Sequence, residues 1–344
     1  MKAFDKSYVL NFAKKILEID SPTGFTKDVI AYLKTEVEKL GFVYEQSEKG
    51  NLHIFVDGKD ASKTTAIGAH VDTLGLMVRS ISEDGTLALS ELGSPLTATL
   101  DAEYCRVINR DNKRYTGTIL ADVPAVHVYP DAKTKERSIN NMLVRIDEEV
   151  KTKKDVEALG IQNGDIVAIE TKTEITQSDF IKSRFLDDKI SVATIFGILK
   201  HFKDHQLQPQ FNLVVIISTY EEVGHGSSYI PSYISEFLAI DMGCIGLDLA
   251  CSEYDVSICA KDSSGPYDYD MVTTLTHLAK TNTLDFAVDV YPYYGSDVSA
   301  ALRGGNNIRG ALVGPGVHAS HGMERTHYKA IENTMKLVFL YLTK

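Results

Sequence analysis

No window of this sequence approaches the eighteen or so consecutive apolar residues of a membrane span, so a membrane partner is not expected. Cationic excess is missing too. The net charge is −11, and a duplex-binding surface needs clustered Lys and Arg, which argues against nucleic acid as a partner. The four cysteines, Cys105, Cys244, Cys251 and Cys259, include no CxxC pair, and they read as reduced and mostly buried. There is no long Pro, Ser or Gln tract to suggest a disordered tail and no internal repeat of solenoid length. The opening residues, MKAFDKSYVLNFAKK, lack the apolar region of a secretory signal, and a cytoplasmic location is the expectation.

What is present suits a globular protein of about two domains: 344 residues, 44% hydrophobic and 24% charged. The most informative stretch is FNLVVIISTYEEVGHG, residues 211–226. Leu213 to Ile217 form a short β-branched apolar run, as expected for a strand covered on both faces in the sheet of an α/β protein. Ligands in such sheets bind beyond the carboxyl ends of the strands, which is where Glu221 and Glu222 stand. Adjacent side chains near a strand end point different ways, so the two acids can have different tasks.

In chain order, helical spacing of apolar residues predicts a helix over 9–17 and a second over 27–40, with Thr26 at its start and Gly41 at its end. Strands are predicted at 42–44, 52–56 and 64–69, the last running into His70-Val71-Asp72. From about Leu74 to Thr176 the texture changes to short β-like runs (76–81, 104–108, 115–120, 142–146 and 166–169) with one short helix near 155–159. The βα alternation then resumes, with helices over 190–202, 267–281 and 330–342 and strands at 213–219, 237–240, 286–290 and 311–313. The expected fold is therefore α/β, a mixed sheet flanked by helices, formed by residues 1–73 and 177–344, with a small β-rich domain inserted at 74–176.

Potential metal ligands stand at five separated points near strand ends or strand-to-helix junctions: His70 with Asp72, Asp187 with Asp188, Glu221 with Glu222, Asp241, and His321. Singly, each is more often a cap or loop residue, because these side chains satisfy free backbone groups well. The combination carries more. His-x-Asp allows an imidazole to bind a cation while the carboxylate two residues on orients it. Gly295-Ser296-Asp297 reads equally as a pocket lining or as a helix N-cap, and Lys261 to Pro266 as a substrate-side loop or a turn.

Taken together, the motifs AHVDTLG (69–75), LDDK (186–189), EEVG (221–224), AIDMG (239–243) and SHGMERTH (320–327) resemble those of the cytoplasmic di-metal aminopeptidases. That family includes glutamyl and deblocking aminopeptidases and assembles into tetrahedral shells. The resemblance covers essentially the whole chain. It implies a zinc-exopeptidase-like catalytic domain in which Asp187 bridges two divalent cations, His70 and Asp241 complete one site, and Glu222 and His321 the other. Glu221 is then the general base and Asp72 orients His70. His318 and His327 compete with His321, whose spacing to the closing helix fits best. The resemblance further implies an exopeptidase acting on short peptides with a free N-terminus, and homodimers built into a dodecamer.

Charge arithmetic agrees with two cations: three ligand carboxylates and one hydroxide carry about −4. Mixed His and carboxylate ligands suit zinc, with cobalt or manganese as alternatives. Three other readings compete. A glycoside hydrolase would use the paired carboxylates but leaves His70, Asp187, Asp241 and His321 unexplained. A non-catalytic metal-stabilised assembly protein would not need Glu221. A related di-metal carboxypeptidase or amidohydrolase would share the site and differ in substrate.

Overall fold

A computed structural model describes residues 2–344 of the chain. It divides into two compact units, one reaching Asp72 and resuming from Lys172 to Lys344, the other Thr73–Thr171. The first begins with α1 (Lys6–Leu17) and α2 (Lys27–Leu40). Val9, Phe12, Ala13, Ile16 and Leu17 form the buried stripe of α1, and the Asp5 side chain caps it by accepting the Tyr8 amide. α2 ends at Gly41, whose φ of +76° is a left-handed conformation that glycine adopts without penalty. Thr26 occupies the N-cap position of α2, but its side chain makes no capping hydrogen bond.

Three strands follow: β1 (Val43–Gln46), β2 (Leu52–Val56) and β3 (Asp60–His70). In the second unit β4 (Gly75–Ile81), β5 (Leu87–Leu92), β6 (Tyr104–Ile108), β7 (Arg114–Ala121), β8 (Met142–Ile146) and β9 (Ile166–Ile169) close a barrel in the order β4-β5-β8-β7-β6-β9. A short helix, α3 (Lys153–Ala158), precedes β9 and starts with a capping box between Thr152 and Asp155. β5 is not expected from the sequence; Leu87 and Leu89 are buried there, and Ser90 and Glu91 are exposed.

Back in the first unit come β10 (Glu174–Ile175), β11 (Phe180–Ser183), α4 (Leu186–His205), β12 (Phe211–Ser218), β13 (Ile234–Ile240), β14 (Gly243–Cys244), β15 (Val256–Asp262) and β16 (Gly265–Pro266). The chain finishes with α5 (Tyr269–Thr281), β17 (Phe286–Val290), α6 (Asp297–Arg303), β18 (Arg309–Val317), β19 (Glu324–His327) and α7 (Tyr328–Thr343). Among the described residues the main sheet has ten strands, ordered β1-β2-β12-β3-β13-β18-β15-β16, with β14 on β18 and β17 on β15. Its centre is parallel: β12, β3, β13 and β18 run the same way. β2 and β15 flank them antiparallel.

β12 shows why the sequence reads as it does. Leu213, Val215 and Ile217 enter the core that also holds residues of α1, α4 and α7, while Val214 and Ile216 enter a second core with Tyr291 and Val298. Both faces are covered, so every position of the run is apolar. Burying each such side chain is worth roughly 1.5–3 kcal/mol. No helix among the described residues is long and apolar enough to cross a membrane.

Candidate active site

The four parallel strands end side by side, and each delivers polar residues just past its end. Ser218, the last residue of β12, pairs with His70, the last of β3. The chain beyond β12 carries Glu221 and Glu222, that beyond β13 carries Asp241, and that beyond β18 carries His321. Asp187 and Asp188 come from the start of α4.

Asp187 lies between two histidines. Its Oδ1 is 3.0 Å from His70 Nε2 and its Oδ2 is 3.6 Å from His321 Nε2. Glu222 Oε2 is 3.8 Å from His321 Nε2, and Glu221 Oε2 is 3.7 Å from His70 Nε2. One ligand atom each from His70, Asp187 and Glu222 lies within 4.8 Å of the others, and the same is true of His70, Asp188 and Asp241. Asp188, named beside Asp187 as a potential ligand but left out of the implied ligand set, belongs to the cluster. Its Oδ2 also accepts the His70 amide at 3.3 Å.

The supports of these residues are specific. His70 Nδ1 is 2.9 Å from the carbonyl oxygen of Asp72. A carbonyl only accepts, so Nδ1 carries a proton and Nε2 is the nitrogen that faces the cluster, the one a cation would take in place of its proton. The Asp72 carboxylate faces elsewhere: it accepts the amides of Glu221 (3.1 Å) and Glu222 (3.4 Å) and the Thr23 hydroxyl (2.8 Å). Glu324 clamps two segments at once, accepting the His321 amide at 2.9 Å and the Asp187 amide at 3.0 Å. Glu324 has no role in the sequence reading, where its only signal is an acid three residues past His321. Asp297 accepts the Ser218 hydroxyl at 2.5 Å and the Ser227 amide at 2.7 Å, bracing the loop that carries the glutamates. Ser296 caps α6 through the Ser299 amide and, with Gly295, also lines the cleft. Lys261 to Pro266 is the turn of a short hairpin between β15 and β16.

The other histidines lie outside the cluster. His318 is exposed and pairs through its backbone with Arg325. His327 accepts the Lys329 amide on Nδ1 as the N-cap of α7 and places Nε2 2.9 Å from the Ser178 carbonyl. His225 is exposed and stacks on Tyr220.

Burial, then carboxylate neighbours, holds Asp188, Glu221 and Glu222 well above the ordinary carboxyl range and pushes Asp241 up to about 7. Burial alone would lower His70, but the Asp187 hydrogen bond and the charges of Glu221 and Asp241 outweigh it and raise it. Burial would raise Asp187, yet the bond to His70 and the His70 and His321 charges hold it below normal. Glu222 Oε1 and Asp188 Oδ1 are buried without a hydrogen-bond partner among the described residues. Such an oxygen costs on the order of 1–3 kcal/mol. Crowded, donor-poor carboxylates beside imidazole nitrogens fit divalent cations, which supply the missing positive partner. The cleft above them is a cavity of about 220 Å³ lined also by Tyr293, Tyr294 and Arg303. A larger cavity of about 550 Å³ beside Phe42 and Phe202 contains none of these acids.

The profile of the family described as M42 glutamyl aminopeptidase matches residues 50–337. A protein of Bacillus subtilis (strain 168) named "Putative aminopeptidase YhfE" is 42% identical over 334 residues, covering 97% of this chain and 96% of its own length. The solved TET aminopeptidase from a marine sediment Thaumarchaeota archaeon is similar in fold, with a TM-score of 0.88 at 17% identity over 98% of this chain and 97% of that one. The TET1 peptidase of Pyrococcus horikoshii, described as able to assemble into a tetrahedron or a large octahedral shell, has a TM-score of 0.85 at 19% identity over 98% and 99% of the two chains.

Proposed function

Since this chain belongs to the M42 glutamyl aminopeptidase family and is a metal-dependent aminopeptidase, we propose that it removes single N-terminal residues from short peptides with Glu221 as general base. His70, Asp187, Glu222, Asp241 and His321 are the ligands of two divalent cations in this reading, with Asp187 shared. One observation carries it: Asp187 turns one oxygen to His70 and the other to His321, amid Glu221, Glu222 and Asp241.

Bound cations supply two things, acidification of a water and polarisation of the scissile carbonyl. The protein does the rest. Glu221 is half-buried in the cleft and its amide is pinned by Asp72, so its carboxylate is held to take a proton from the attacking water and deliver it to the leaving amine. Glu222, next in the chain, faces His321 and is left to ligation. Asp72 fixes both glutamates through their amides and His70 through its own carbonyl. Glu324 ties the Asp187 and His321 backbones together, which keeps the ligands at a constant spacing. Zinc suits this donor set, with cobalt or manganese as alternatives.

We take the protein to be a homo-oligomer, a reading supported by its likeness in fold to the P. horikoshii TET1 peptidase. We take it to be a dodecamer built from six dimers, each paired through the unit at 73–171. Light scattering at micromolar protein tests this; a monomer would refute it. The activity is tested on a panel of aminoacyl-p-nitroanilides with free and blocked amines. Free-amine substrates should be cleaved and N-blocked ones should not. The reverse preference would favour a related carboxypeptidase or amidohydrolase.

A further inference from the structure

We propose that the Tyr294 hydroxyl is a further catalytic group, donating a hydrogen bond to the scissile carbonyl oxygen as it gains negative charge; this rests on the aminopeptidase reading above. Tyr294 lines the cleft with Asp187, Glu221, Glu222, Asp241 and His321. Its hydroxyl is buried and faces the Asp241 carboxylate, but no described group meets it at good hydrogen-bond geometry. Buried hydroxyls in folded proteins are paired, so one left open in a reaction cleft is available to a substrate.

Two features fix where that hydroxyl points. The Tyr294 ring packs edge-on against Tyr291, centroids 5.2 Å apart at 75°. Tyr291 is itself buried, with its hydroxyl bonded to Ser257. The Tyr294 carbonyl accepts both the amide and the hydroxyl of Ser263, at 3.0 and 2.6 Å. Ring and backbone are both tied, which is the preorganisation an oxyanion donor needs.

Other donors in the cleft wall are differently placed. Ser296 shares its hydroxyl with Tyr267 at 2.7 Å while capping α6. Tyr293 is 94% exposed. Arg303 is exposed and donates to Ser264. A phenol keeps its proton at neutral pH, so Tyr294 acts as a donor. It stays protonated throughout: the water oxygen bonds to the carbonyl carbon, the C=O π pair becomes the oxyanion, and the water proton goes to Glu221.

The test is Tyr294→Phe, which removes one oxygen and keeps the ring. Wild type and variant are compared for kcat and KM on a free-amine p-nitroanilide, for bound metal, for melting temperature, and for calorimetric affinity toward a phosphinic dipeptide analogue and the free amino acid product. The expected result is a fall in kcat of about 10²-fold with KM within about twofold, weakening of the tetrahedral analogue by a similar factor, and unchanged metal, melting temperature and product affinity. Unchanged kcat would overturn the proposal. So would loss of metal or of melting temperature, which would make Tyr294 a support of Asp241. Equal weakening of product and analogue would overturn it as well, since the contact would then belong to the ground state. A wild type inactive on every substrate would instead remove the aminopeptidase reading beneath it.

Discussion

The carboxylate of Asp72 accepts the backbone amide of Glu221, at 3.1 Å on Oδ1. The same residue reaches His70 by a different atom: its carbonyl oxygen is 2.9 Å from His70 Nδ1, while the carboxylate stands 3.7 Å away. Histidine orientation thus comes from the Asp72 main chain, and the side chain serves the glutamate pair. Replacement of Asp72 by Asn puts an NH₂ group against an amide or hydroxyl donor. The Asp72→Asn enzyme should lose about 10–100-fold in kcat yet retain bound metal, because the main-chain contact to His70 survives. Kinetics with metal counting on the same sample check this. Loss of half the metal would show that the carboxylate acts on His70 after all.

Gly314 in β18 permits a contact that no side chain would allow. A Cβ there would lie 1.7 Å from the Asp241 carbonyl oxygen, so backbone must move, and the backbone that moves carries a proposed ligand. Gly314→Ala should destabilise the protein by about 1–3 kcal/mol or more and lower metal affinity together with activity. Urea unfolding and metal titration measure the two effects. A variant with wild-type stability and metal binding would contradict the close approach.

Metal removal should destabilise the protein in a pH-dependent way. Burial and mutual repulsion raise Asp188, Glu221 and Glu222 above the ordinary range and Asp241 to about 7. A carboxyl raised on folding favours the fold below its unfolded value near 4, and that contribution is lost as pH rises through the folded value. The stripped protein should therefore weaken between about pH 4 and beyond 7, while cations offset the repulsion in the loaded one. The gap in melting temperature should widen by a few °C from pH 5 to pH 8, since about 1 kcal/mol moves Tm by roughly 2–4 °C in chains somewhat shorter than this. A gap independent of pH, or none after stripping and reloading, would refute this.

Which features were legible in the sequence follows from where their cause lies. The run at 213–217 reveals a doubly covered strand because every residue in it answers to a local pattern. Glu221 and Glu222 are conspicuous because they follow that strand directly. β18 was expected only at 311–313, because Gly310, Gly314, Pro315 and Gly316 look like turn residues. In fact Gly314 and Gly316 are strand residues whose missing side chains let Asp241 and Ser252 approach. β15 was not expected at all: VSICAKD mixes polar and apolar residues without clear alternation, and its burial depends on β18 and β17 beside it. Glu324 went unassigned for a related reason. An acid that accepts an amide 137 residues away, as Glu324 does from Asp187, leaves no trace in local sequence.

The central claim is that Glu221 moves the proton while its neighbour Glu222 holds metal. Glu221→Gln keeps the shape and the hydrogen bond its backbone N–H donates to Asp72 but removes the base. The measurement is hydrolysis of a free-amine aminoacyl-p-nitroanilide by wild type and Glu221→Gln, with metal counted per subunit in both. The account predicts two metals in each and a variant slower by about two to four orders of magnitude. A Glu221→Gln enzyme as active as wild type, or one that has lost a metal, would contradict it.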